Sequence, residues 1–272
     1  MPPEEMEPTN EGIPESSDFG GSRSDASHSG QAPASDPSVG PARTGGWWRS
    51  VFELVRSVGL LLVLLFVVRA FVVEAFKIPT TSMEGTLLAG DFLLVNKAVY
   101  GAEIPGVGIT LPALAIPERG EVVVFHPPHD PGKHYVKRLV GLPGDTLEMR
   151  NKLLYLNGEE LYEPYTSHHD WDGDTVHPGM SWQNEFLKNP VATRRYRPSR
   201  DNWGPLVIPG GSFFMLGDNR DNSEDSRYWG LVDREKIKGR PWRVYYSSEP
   251  GQAGLGSWFQ EVRWGRIGGR IR

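Results

Sequence analysis

Tyr135-Val-Lys-Arg-Leu-Val-Gly-Leu-Pro-Gly-Asp145 is the stretch that decides the fold. It is apolar apart from Lys137 and Arg138, it carries two valines and a tyrosine, and Pro-Gly-Asp then stops it as a turn. That pattern predicts a strand over residues 135–142. Runs of the same kind recur at Phe92–Val95, Glu121–Phe125, Lys152–Leu156, Phe213–Leu216 and Arg243–Tyr246. Asn157-Gly158 has the make-up of a two-residue hairpin turn. With 32 Gly and 23 Pro, no βαβ alternation and no internal repeat, the class is mainly β. Residues 162–205 break the rhythm: they are rich in His, Trp, Asp, Asn and Arg without periodicity, and read as an inserted loop or small subdomain.

Upstream the text changes character. Residues 1–46 are Pro, Glu, Ser, Gly and Asp, with eight acidic side chains against Arg23 and Arg43, and so little to bury predicts a disordered acidic tail. Residues 47–75 are apolar. The uncharged run Ser57–Val68 has 12 residues, which at helical rise cover only about 18 Å of a ~30 Å hydrocarbon core. Extension through residues 51–76 supplies the missing length, with Arg56 and Arg69 snorkelling to opposite interfaces and Trp47 and Trp48 in an aromatic belt. A buried soluble helix would need a larger core than this chain has. A cleaved export signal, cut near Val73-Glu74-Ala75, fits poorly with an acidic leader of almost fifty residues. An uncleaved single-pass anchor fits best. Arg43, Arg49 and Arg56 before the run, against Arg69 and Lys77 after it, favour a cytoplasmic N-terminus with the remainder outside. Residues 76–247 then form the β-rich domain, followed by a basic aromatic segment, 248–272. In that segment Trp258, Phe259, Val262, Trp264 and Ile267 alternate with arginines, as either an interfacial helix or a packed terminal one.

Composition excludes several classes. The 272 residues include no cysteine, so disulfides, thiolate zinc sites and a cysteine nucleophile are ruled out. With 29 basic against 34 acidic side chains, a formal charge of −5, a general nucleic-acid binder is not expected. There is no G-x-S-x-G elbow, no S-x-x-K and no H-E-x-x-H, and Pro-rich spacing separates the histidines at 126, 129 and 134 and at 168, 169 and 177. A metal site is not expected.

Three segments remain as candidates for chemistry. In Ile78-Pro-Thr-Thr-Ser82-Met, directly after the span, Ser82 is either a turn serine or a nucleophile. Lys137 sits in an apolar strand. If it is buried, desolvation lowers its pKa and makes it a general base, whereas an exposed strand lysine is inert. Arg138 faces the other way. Gly217-Asp-Asn-Arg-Asp-Asn-Ser-Glu-Asp-Ser-Arg-Tyr-Trp-Gly230 packs so many donors and acceptors that the loop should be organised by its own hydrogen bonds. It fails as a calcium loop, because the sixth and twelfth positions from Asp221 are Ser226 and Val232.

These segments, with Gly90-Asp-Phe-Leu-Leu-Val, resemble in text and order the bacterial type I signal peptidases, also called leader peptidases. The likeness covers about residues 70–100, 118–160 and 205–247. It implies an antiparallel β catalytic domain behind a single N-terminal span, and a serine–lysine dyad with Ser82 as nucleophile and Lys137 as general base. It implies oxyanion donors from the Ser82 N–H and the Thr80 hydroxyl. Ser223 would hydrogen-bond and orient Lys137, with Asp225 and Arg227 bracing the loop behind. Ile78, Met83, Leu87, Tyr135 and Val136 would line the site for the residue before the cut, and Phe76, Leu93 and Val136 the site two residues earlier. The implied substrates are exported preproteins cut after small residues at the surface of the cytoplasmic membrane, without a cofactor. Thr81 and Glu84-Gly85 depart from the family's usual pattern next to the nucleophile. A self-cleaving regulator would need a DNA-binding head that residues 1–46 do not have, and an inactive tethered relative would be expected to lack Ser82 or Lys137.

Overall fold

The protein's structure is a computed structural model that describes residues 46–101, 111–169, 173–189, 195–249 and 261–271. Residues 1–45, and with them almost all of the expected acidic tail, lie outside the described residues, as do Trp258 and Phe259. The chain divides into two compact units, Met1–Ser50 and Val51–Arg272. The described part of the first, residues 46–50, is the opening turn of helix α1, Gly46–Phe71, where the rings of Trp47 and Trp48 lie 4.0 Å apart.

From Val51 onward α1 keeps its apolar side chains exposed, and its most apolar window has nothing buried against protein. Its 26 residues span about 39 Å, enough to cross a bilayer. The helix stops earlier than the expected boundary at 75. Strand β1, Val73–Lys77, begins two residues after it and pairs with β2, Asp91–Asn96, from Val73↔Asn96 to Lys77↔Phe92. Hydropathy does not separate an apolar helix end from an apolar strand. The pairing with Phe92–Val95 decides it, and the adjacent Val72 and Val73 are β-branched and favour the strand.

The remaining strands are β3 (Val122–Phe125), β4 (Tyr135–Gly141), β5 (Thr146–Arg150), β6 (Leu153–Leu156), β7 (Glu159–Glu160), β8 (Trp203–Val207), β9 (Ser212–Leu216), β10 (Val232–Asp233) and β11 (Ile237–Ser247), with a short helix α2 at Ser226–Trp229 before β10. Among the described residues they form a seven-stranded sheet, β1-β2-β11-β3-β4-β9-β10, and a four-stranded sheet, β7-β6-β5-β8, antiparallel at every pairing. The expected runs at 92, 121, 135, 213 and 243 are all strands. Lys152, expected to open a strand, instead sits with Asn151 in the β5–β6 hairpin turn at positive φ, and Asn157-Gly158 forms the β6–β7 turn as expected.

β11 bridges β2 and β3, and bulges on either side of Trp242 and Tyr245 let Pro241 sit inside a central strand. Three apolar clusters fill the interior. One lies under β1–β3 around Met83, Leu87, Leu93 and Val124, one around Val123, Phe125, Leu139 and Met215, and one between the small sheet and β9 around Leu147, Trp203 and Phe214. Each such side chain, fully buried, contributes about 1.5–3 kcal/mol. Of the described C-terminal residues only Glu261 is α-helical, and residues 262–271 form neither of the helices considered for them. They hold one 3₁₀ turn, Trp264–Arg266, and lie against β11 through Val244 N–H to Gly269 O and Ile271 N–H to Trp242 O.

Candidate active site

β4 carries Lys137 and Arg138 into different surroundings. The Lys137 Nζ donates to the Ser82 Oγ at 2.6 Å. Lys137 is only 4% exposed, and that desolvation pushes its ammonium down to about 8 from 10.5, with Asp225 pulling the other way and Arg227 adding to the fall. Ser82 lies on a tight turn closed by Glu84 N–H to Thr81 O and Leu87 N–H to Met83 O. Gly85 in that turn has φ +107, so the Glu84-Gly85 departure supplies the residue type the backbone needs there. The Thr80 Oγ1 is 3.2 Å from the Ser82 Oγ, and among the described residues the Ser82 N–H has no partner. A serine oxygen touching a buried, readily deprotonated amine, with two donors beside it, is an arrangement for acyl transfer.

Arg138 turns the other way. Its guanidinium holds Asp218 through two bonds of 2.8 and 2.6 Å, donates to the Gly120 carbonyl and Thr86, and lies 3.8 Å from the centre of the Tyr165 ring. Both charges are buried, so each depends on the other. This cluster was not singled out in the sequence. Its signal was a second cation beside Lys137 and an aspartate opening the polar loop.

That loop, 217–230, is tied to itself as expected. Asp225 caps α2, accepts from the Gly217 N–H and forms a two-bond pair with Arg227, which also donates to the carbonyls of Arg220 and Ser223. Burial alone would raise the Asp225 carboxyl, but Arg227 and Lys137 hold it below the ordinary aspartate range. The insert 162–205 contributes as well. Glu163 pairs with Arg220, Ser167 exchanges backbone bonds with Asp218 and Arg220, and Trp182 and Gln183 both donate to the Arg227 carbonyl. Gly217 sits where a Cβ would fall 2.2 Å from the Ser223 Oγ and 2.5 Å from the Ser82 carbonyl. One expected contact is not made. Among the described residues the buried Ser223 hydroxyl bonds neither to Lys137 nor to any other group, and it packs against Gly217.

A cleft of about 610 Å³ opens over the Ser82–Lys137 pair. Phe76, Ile78, Met83, Tyr135 and Val136 line it, as expected. Leu87 and Leu93 do not. Both are fully buried in the cluster beneath, where they support Ile78 and Met83 from behind. No sequence feature assigned to the cleft its polar rim of Lys77, Thr81, Lys133, His134, Asn222 and Glu224, in which Asn222 Nδ2 donates to Thr81 Oγ1 at 2.8 Å. Burial and the neighbouring His126 imidazole lower the pKa of His134. At Tyr135–Lys137, β4 is paired only with β3. Its pairing with β9 starts at Arg138, so one backbone edge faces the cleft without a partner among the described residues.

Known proteins carry the same arrangement of sequence. Residues 51–246 match the family model described as signal peptidase, peptidase S26. Among the relatives, Signal peptidase I of Pseudomonas aeruginosa is 36% identical over 72% of this chain and 72% of its own. Signal peptidase I of Aquifex aeolicus is 34% identical over 72% and 84%, and that of Bacillus licheniformis 34% identical over 72% and 89%. A family model matched over more than half of the sequence, and relatives covered beyond two thirds of their length, place this chain in the S26 family of signal peptidases.

Proposed function

We propose that Ser82 and Lys137 are the dyad with which this signal peptidase cleaves signal peptides from exported preproteins. The observation that carries the reading is the 2.6 Å contact between a buried lysine and a turn serine at the floor of the cleft. With Lys137 neutral the bond reverses, and the Ser82 hydroxyl donates to Nζ. Its proton passes to Nζ as Oγ attacks the scissile carbonyl. The negative charge that develops on the carbonyl oxygen is met by the Ser82 N–H and the Thr80 hydroxyl. Collapse breaks the C–N bond, the leaving amine takes the proton from Lys137, and the signal peptide stays on Ser82 as an ester. A water that gives its proton to Lys137 then hydrolyses the ester and regenerates the serine.

The apolar floor of Ile78, Met83, Tyr135 and Val136 admits a small side chain before the cut, and Phe76 and Val136 bound the site two residues earlier. The unpaired edge of β4 at Tyr135–Lys137 offers the signal-peptide end a strand to pair with. Asp225 and Arg227 hold the loop behind the lysine rather than touching substrate. α1 anchors the enzyme in the bacterial cytoplasmic membrane with the N-terminus inside and residues 76–247 outside. This orientation rests on the arginine distribution around the span, and it sets the nucleophile a few residues beyond the bilayer, where a preprotein held by its own signal is cut.

The test is cleavage of a detergent-solubilised preprotein, read by product mass. Wild type should cut after a small residue, and Ser82→Ala and Lys137→Ala should each lose at least ~10³-fold in kcat with the fold intact. Wild-type rates in either variant would sink the dyad.

A further inference from the structure

A second pocket, of about 390 Å³, lies on the far side of β2 from β1 and is formed by Arg240, Pro241, Trp242, Arg243, Arg270 and Ile271. Three arginines line it. Arg240 pairs with Glu121, and Arg243 donates to the Gly268 carbonyl while lying 5.6 Å from the Trp242 ring centre. Arg270 is exposed and makes no ion pair among the described residues. The backbone itself draws the last two together, through a bridge between Arg243 and Arg270. One acid against three cations leaves an excess of positive charge that an anion would relieve. The rest of the wall is apolar, with Trp242 46% exposed.

The register says where this pocket lies. Val73, the first residue of β1 after the helix, pairs with Asn96, and Asn96 pairs with Arg240. These three residues form one rung across three neighbouring strands. At about 4.8 Å per strand, Arg240 is about 10 Å from the point at which the chain leaves α1. The arginine pocket therefore stands at the end of the sheet where the span emerges.

We propose that this pocket binds the phosphate headgroup of an anionic phospholipid in the bilayer that holds α1. Arg243 and Arg270 meet the phosphate, and Trp242, Pro241 and Ile271 receive the glycerol and upper acyl carbons beside it. The inference rests on the reading of α1 as a membrane span. That reading has its own check, because a chain released from membranes by alkaline carbonate would overturn the anchor whatever the pocket binds.

The experiment uses the full chain in a non-ionic detergent, titrated with dihexanoyl phosphatidylglycerol, dihexanoyl phosphatidylcholine or glycerol phosphate, with bound ligand counted by native mass spectrometry. Wild type should bind phosphatidylglycerol at least ~10-fold more tightly than either of the others. Arg243→Gln with Arg270→Gln should weaken it about 25-fold, roughly 5-fold for each guanidinium, while Arg150→Gln on the other sheet changes nothing. Cleavage of a soluble peptide at the wild-type rate checks that the double variant is folded. If it is not, Arg270→Gln alone carries the test with a ~5-fold loss. Equal binding by variant and wild type, or phosphatidylcholine bound as tightly, overturns the site. Glycerol phosphate bound as tightly as the lipid overturns the lipid assignment.

Discussion

Burial fixes both the chemistry and the cost of Lys137. In the proposed dyad only its neutral form can take the Ser82 proton, so kcat should rise with pH through about 8 and level off above it. A rate profile flat from pH 6 to 10 would count against a lysine base. The same shift bears on stability. Between about 8 and the ordinary 10.5 the unfolded chain holds a proton that the folded one has shed, so stability rises with pH across that window. Below about pH 8 the penalty is present in full, at roughly 3 kcal/mol. Lys137→Met, inactive, should therefore melt higher than wild type at pH 7, and its advantage should fade toward pH 10.5. An advantage that grows with pH would mean the lysine is not desolvated.

At the scale of elements, the loop 217–230 and α2 form one electrostatic unit around a fully buried Asp225–Arg227 pair. Asp225→Asn leaves Arg227 buried without its counter-charge and weakens the α2 cap. A loss of about 3–5 kcal/mol is expected, read as a fall in denaturation midpoint, against under ~1 kcal/mol for Ser223→Ala, whose hydroxyl has no partner among the described residues. Comparable losses in the two would place the energetic centre of the loop wrongly. This unit also marks the limit of what the sequence conveys. The strand that carries Lys137 was legible from its apolar run and turn signals, whereas Ser82, on a turn, stood out with Lys137 only through the resemblance of their segments to the signal peptidases. The end of α1, the rim of the cleft and the burial of Leu87 and Leu93 were not. Val73 becomes a strand only because Phe92–Asn96 lies beside it, and whether a leucine lines a cleft or supports it depends on the neighbouring sheet. The insert 162–205 read only as an inserted loop or small subdomain for the same reason. Glu163, Ser167 and Gln183 find their partners in a loop that begins more than thirty residues later.

At the scale of the whole molecule, one long apolar helix among the described residues, its most apolar window unburied, leads into a β domain in which Ser82, the proposed nucleophile, follows eleven residues after the helix end. On the proposed reading of α1 as a membrane span, the reach of the enzyme is set by that span, and substrates come to it in the plane of the membrane. The backbone edge of Tyr135–Lys137, described above as a docking line for substrate, has a second consequence. A sheet missing one strand lacks the hydrogen bonds that the strand would supply, so the catalytic domain should be softest when idle and should stiffen on loading. An uncleavable extended peptide with alanine at the cut position should raise the melting temperature of the Ser82→Ala variant, by about 2.7 kcal/mol of added stability at a hundredfold excess over Kd. Amide exchange should slow first at β4 and at residues 78–82. Protection appearing elsewhere would place the peptide on another edge. If the preprotein docks on that edge as proposed, turnover is also a folding cycle: each preprotein briefly supplies the strand that completes the sheet, and its departure leaves the sheet open again.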